Sequence, residues 1–216
     1  MKCFYNNRSM DSMAAAAVVK SAWPTCDMIQ YNADSVLPLG DIDKNEPVFL
    51  VGISLPYEMM DALNRWAKLH WFIQKSPQIT DCLSLSISGL VHEHQSACEL
   101  AYRYLFGGMN IEAVPRALRL IGRYETEDHG WDPDVVPFHY GMLAIVNLSP
   151  CDPIWNTLIH PTDIEVGERD EITVRVTAGR YIHEYELARI ARESAMLREF
   201  GERHIQRKRP VVAATA

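Results

Sequence analysis

The chain predicts an α/β fold: a parallel sheet with flanking helices, followed by a helical region that ends in a long C-terminal helix. Three observations predict it. Over the first 75 residues, short apolar runs alternate with helical stretches. Pro47–Ile53 (PVFLVGI) is an unbroken apolar run, the pattern of a strand covered on both faces. Between about 172 and 200, Ile182, Tyr185, Ile190, Leu197 and Phe200 form an imperfect helical stripe.

The elements follow in order. Lys2–Asn6 reads as a short strand. Asp11–Trp23 reads as an Ala-rich helix that stops before Pro24, with Ser9 as its N-terminal cap. Asp27–Tyr31 is a second strand and Pro47–Ile53 a third. Ser54 and Pro56 open a helix through Met59, Leu63 and Leu69, and His70–Ile73 is the next strand. Strands joined by single helices imply right-handed crossovers and parallel pairing. Asp81–Val91 is strand-like. Ser96 and Glu99 have capping-box spacing and open a helix to about Phe106, ended by Gly107-Gly108. Asn110 is placed to cap a helix through Arg123, and Asp152-Pro153 to start a short one carrying Trp155 and Leu158. The long helix is expected to end at Gly201. The reading divides the chain into an α/β domain over 1–145 and a helical extension over 146–216.

Composition narrows the function classes. The chain has 216 residues, 48% hydrophobic and 23% charged, enough for one sizeable core. Its longest apolar run, Met13–Val19, is too short to span a bilayer and lacks the basic flank of a signal peptide. A cytoplasmic protein without a membrane segment is expected. The five cysteines (Cys3, Cys26, Cys82, Cys98, Cys151) have neither zinc-ribbon nor redox spacing and read as small buried hydrophobes. The first 170 residues carry 12 basic and 22 acidic groups, whereas the rest carries nine and six. An acidic body repels polyanions, so long nucleic acid is not an expected ligand, although the run Arg203–Arg209 could touch phosphate.

Several segments, in this order, resemble the motifs of DHH-family phosphoesterases, especially their small bacterial and phage phosphohydrolase branch. Tyr5-Asn6-Asn7-Arg8-Ser9-Met10-Asp11-Ser12-Met13-Ala14-Ala15 resembles the first motif, Tyr-His-x-x-x-x-Asp-Gly-Phe-x-Ala. Val48–Pro56 resembles a strand ending in Val-Asp-Phe-Ser. Leu69–Ser76 resembles the segment that carries Asp-His-His, and Ser96–Phe106 the helix after it. Ile121–Glu125 resembles the fourth motif, continued by Pro137–Met142 and Trp155.

The family holds two Mn²⁺ or Mg²⁺ ions through His and carboxylates. Carried over by position, the first-motif His falls on Asn6, and that motif's last Asp is Asp11. The second-motif Asp falls on Gly52, the triplet on Ile73, Gln74 and Lys75, and the fourth-motif Asp on Glu125. Shifting the triplet by one residue still supplies no Asp or His. Two carboxylates without imidazole hold a transition metal poorly, and Lys75 repels one. The glycine-rich, His-containing loop of the family's second domain has no counterpart.

The resemblance therefore implies a phosphoesterase fold without catalytic residues, metal or cofactor. Its cleft would bind a phosphate-containing ligand, such as a nucleotide or a cyclic nucleotide signal. The residues this implies are Arg8, Ser9, Asp11, Gln74, Lys75, Arg123 and Glu125. Two alternatives stay open. One is a protein-interaction module, whose long basic helix binds a partner or a second copy. The other is a divergent metal-dependent phosphodiesterase using Asp11, Glu125 and His92 or His94, the only close His pair.

Overall fold

The structure is a computed structural model. It describes residues 1–32, 37–107, 113–128, 132–160 and 165–208, with side chains in the last segment described over 171–197. Five strands, β1 (Lys2–Tyr5), β2 (Asp27–Gln30), β3 (Pro47–Val51), β4 (Lys68–Gln74) and β5 (Ser88–His92), form one sheet in the order β2-β1-β3-β4-β5. Every pairing is parallel, with Tyr5 opposite Val51, and Val51 opposite Phe72. The expected fold class is the one observed.

Period-two alternation sends successive side chains to opposite faces of the sheet. Cys3, Tyr5, Phe49, Val51 and Phe72 join the larger core, built with α1 (Met10–Ala22), α3 (Ala97–Phe106), α4 (Arg116–Glu125), α5 (Val135–Leu143) and α6 (Ile154–Ile159). Phe4, Val48, Leu50, Leu69 and Trp71 face the smaller one, under α2 (Tyr57–Trp66). Trp155, Leu158, Ile172 and Val176 lie beyond the boundary expected at 145 and belong to the same cluster as Cys3. The chain turns outward from β1 to β2 and then crosses to β3 on the other side. The strand order therefore reverses between β1 and β3, where α/β sheets open a crevice.

Helix α1 is capped as expected: the Ser9 hydroxyl accepts from the Ser12 amide. The capping box of α3 is also present. The Glu99 amide donates to Ser96 Oγ, and the Ser96 amide donates to Glu99 Oε2.

Several boundaries differ from the sequence reading, or fall outside the described residues. Leu69 lies in β4, because the Lys68 amide already donates to Glu46 beside β3 and so ends α2. Asp81–Val91 splits into a 3₁₀ turn (Asp81–Ser84) and β5. Thr80 and Ser84 hydroxyls there donate to backbone carbonyls three residues back, which favours turns over a strand. Asn110 lies outside the described residues, and the described part of α4 starts at Arg116, behind Pro115. Finally, α7 runs over Glu165–Lys208, through Gly201. One helical glycine costs only about 1 kcal/mol, less than a long helix of good formers supplies.

The start of α7 crosses α5 at very short range. A Cβ on Gly179 would lie 1.7 Å from the Pro137 carbonyl oxygen, and one on Gly141 would lie 2.0 Å from that of Arg175. These two glycines let the backbones touch, so Ile172 and Val176 reach the core.

Candidate functional site

The loops after β1 and β3 meet at the strand-order reversal. Buried Ser12, in the first turn of α1, ties them together. Its hydroxyl donates to the Val51 carbonyl at 2.6 Å and accepts from the Asn6 amide at 2.8 Å. Gly52 follows with φ +62°, and a Cβ there would stand 2.8 Å from that of Ser12. Only glycine meets both the backbone angle and the close approach.

Between these loops lies a cleft of about 550 Å³, walled by Asn6, Tyr31, Gly52, Ser54, Pro56 and Met59 among others. Among the described residues, its walls hold amide, hydroxyl and apolar groups and no charged side chain. Asn6 Oδ1 accepts the Arg8 amide at 2.9 Å, which leaves the Asn6 amide group as a donor. Helix α2 opens behind Pro56 with no side-chain cap, so the amides of Tyr57 and Glu58 have no intrahelical acceptor. Asn6 and Gly52 thus share one cleft.

The other sequence-predicted residues separate into distinct settings. Arg8 is exposed on the loop after β1, and Ser9 is engaged as the cap of α1. Gln74 and Lys75, at the end of β4, turn to Glu93. Gln74 Nε2 donates to its carbonyl at 3.0 Å, and Lys75 Nζ pairs with its carboxylate at 2.6 Å. Arg123 pairs with Asp132 at 3.6 Å. Neither Lys75 nor Arg123 lines the cleft.

Asp11 is engaged inside the fold. It is 4% exposed, and its two carboxylate oxygens accept the Ala97 and Cys98 amides, each at 2.8 Å. A residue of α1 therefore caps the N-terminus of α3, where the helix dipole favours negative charge.

Glu99 and Glu125 lie in the field of Asp11. Burial first, and then Asp11, pushes the Glu125 carboxyl above its ordinary value. Glu99 is pushed up to about 7, mainly by burial and further by Asp11, against the hydrogen bonds from Ser96 and the charge of Arg123. Gly122 makes room for it: a Cβ at that position would lie 2.6 Å from the Glu99 carboxyl.

This cluster carries a pH signature. Between pH 4.5, the ordinary value, and about 7, the folded chain holds the Glu99 proton more tightly than the unfolded chain. Stability should therefore fall as pH rises through this window, by on the order of 2 kcal/mol, and then level off. Glu99→Gln keeps an acceptor for the Ser96 amide and removes the charge. It should remove most of this slope and raise the melting temperature at pH 8. Melting curves from pH 5 to 8 check it; a slope unchanged by the substitution would assign the dependence elsewhere.

His92 and His94 are exposed, with ring centroids 6.2 Å apart, and the His94 amide donates to His92 Nδ1. Among the described residues, no group of three or more His, Cys, Asp or Glu side chains is placed to hold a metal ion. His139 stacks flat on Tyr124 at 3.5 Å, a packing role.

Sequence reasoning did not find Ser12, Tyr31, Ser54 or the open start of α2 as parts of a site. The available signal was a glycine directly after a buried strand, followed by Ser-x-Pro. Comparison of the chain with family models, with curated proteins and with solved structures finds no match in any of the three.

Proposed function

We propose that the protein binds a small phosphate-containing molecule, of the nucleotide or cyclic-nucleotide class, in the cleft between β1 and β3, and does not turn it over. The observation that supports this is the character of the cleft wall. At the two positions aligned with metal ligands stand a neutral amide, Asn6, and a glycine, Gly52, and none of the described residues of the wall is a carboxylate. A phosphate there would meet the Asn6 and Ser54 side chains and the open amides at the start of α2, a helix terminus that carries partial positive charge. Arg8, exposed and two residues after the cleft residue Asn6, is the cation this loop offers. Tyr31 and Met59 offer flat and flexible apolar surface to a base. Binding without chemistry is all that sequestration of a signalling nucleotide requires.

The test is a thermal-shift panel of mono-, di- and cyclic nucleotides without divalent metal, followed by calorimetry on any hit. A ligand that binds only the folded chain raises its melting temperature. Asn6→Asp is nearly isosteric and keeps the acceptor for the Arg8 amide, but it puts a carboxylate against the phosphate. It should weaken binding at least tenfold, about 1.4 kcal/mol. Absence of binding across the panel would overturn the proposal. Phosphodiester turnover above background in Mn²⁺ would overturn its non-catalytic part.

A further inference from the structure

We infer that α7 is a self-association element, which pairs antiparallel with α7 of a second copy of this chain. The inference stands apart from the cleft and its ligand. Helix α7 has 44 residues, about 66 Å at 1.5 Å per residue, far longer than the nine-residue α5 it packs on. Ile172, Val176 and Gly179 are buried against the body, but from 184 to 197 no side chain of α7 is buried. From 181 to 197 large apolar side chains stand in solvent: Tyr181 is 71% exposed, Tyr185 63%, Met196 61% and Leu197 73%. A helix in water normally covers such residues.

Position around the helix separates two sets. At about 100° per residue, Val174, Tyr181, Tyr185 and Met196 fall within roughly 60° of one another, whereas the exposed Leu187, Ile190 and Leu197 continue the opposite side, that of Ile172, Val176 and Gly179. This outer stripe spans both halves of the helix. A second helix could lie on it without displacing α5. Small residues, Ala178 and Ala188, lie on the same side and leave room for the tyrosines of a partner.

Charge identifies the occupant. Residues 165–186 hold six acidic and three basic groups, a net −3; residues 187–208 hold three acidic and six basic, a net +3. Two parallel copies would set like charge beside like. Two antiparallel copies set each acidic half against the other's basic half, and oppose the helix dipoles as well. The helix is thus complementary to its own reverse. Its projecting basic half would also lie near the partner's acidic body, since the first 170 residues carry an excess of ten acidic groups.

Light scattering on the purified full chain, near 50 µM in low salt, should give twice the 24.6 kDa chain mass. Raising the salt should shift it toward monomer. Tyr181→Glu with Tyr185→Glu should give monomer with unchanged helical circular dichroism. Arg189→Glu with Arg192→Glu, and separately Glu184→Arg with Glu186→Arg, should each abolish self-association, whereas an equimolar mixture of the two variants should give a heterodimer. Orientation follows from spin labels on Thr177→Cys in a Cys151→Ser background: antiparallel copies place them roughly 30 Å apart, parallel copies about 10 Å. A monomeric wild type, a dimer indifferent to the tyrosine changes, or the short distance would overturn the inference.

Discussion

Asp11→Ala is expected to cost about 3–5 kcal/mol, a large share of what a domain of this size has. The two amides it caps are buried, and Ala offers them no acceptor. Hydrogen bonds to a charged acceptor are worth roughly twice neutral ones, and burial keeps water from replacing them. One effect opposes the loss: without Asp11, Glu99 and Glu125 are relieved of a like charge. That relief is smaller, because both groups are raised chiefly by burial. Asp11→Asn keeps one acceptor oxygen and should fall between Ala and wild type. Urea unfolding followed by circular dichroism measures both, with the midpoint shifting and the slope preserved. A loss below about 1 kcal/mol for Ala would mean that the bridge from α1 to α3 does not hold the fold together.

Gly179→Ala is expected to destabilise by at least about 3 kcal/mol, although Ala is the better helix former by about 1 kcal/mol. The new methyl would sit 1.7 Å from a backbone oxygen of α5, and backbone cannot turn aside as a side chain can. The helices must part, and Ile172 and Val176 must leave the core with them. Thermal unfolding reads the difference. A Gly179→Ala variant as stable as wild type would show that the α5–α7 crossing yields at little cost.

Much of the fold was legible because its signals are local. The apolar run 47–53, Ser9 before α1 and the Ser96/Glu99 pair each carry their meaning within a few residues, and each stands in the structure where expected. The boundaries that moved were set by neighbours distant in sequence, such as Glu46 taking the Lys68 amide, or by competing turn bonds. The candidate site was less legible. The sequence pointed to Arg8, Ser9, Asp11, Gln74, Lys75, Arg123 and Glu125, none of which lines the cleft. Nothing local says that Lys75 turns to Glu93, or that Asp11 spends both oxygens on amides 86 and 87 residues away. A charged side chain goes to the partner that tertiary packing brings to it, and a sequence lists candidates without distances.

By itself, then, the sequence determined the α/β class, the parallel pairing and the long terminal helix, because periodicity and caps act over one or two turns of chain. It also determined the charge asymmetry of that helix. It took the tertiary structure to show that Asp11 is a cap, that the described walls of the cleft between β1 and β3 are neutral, and that two glycines bring α5 and α7 into backbone contact. Those outcomes depend on which groups meet across the fold, where burial makes an unpaired amide or a misplaced methyl cost several kcal/mol.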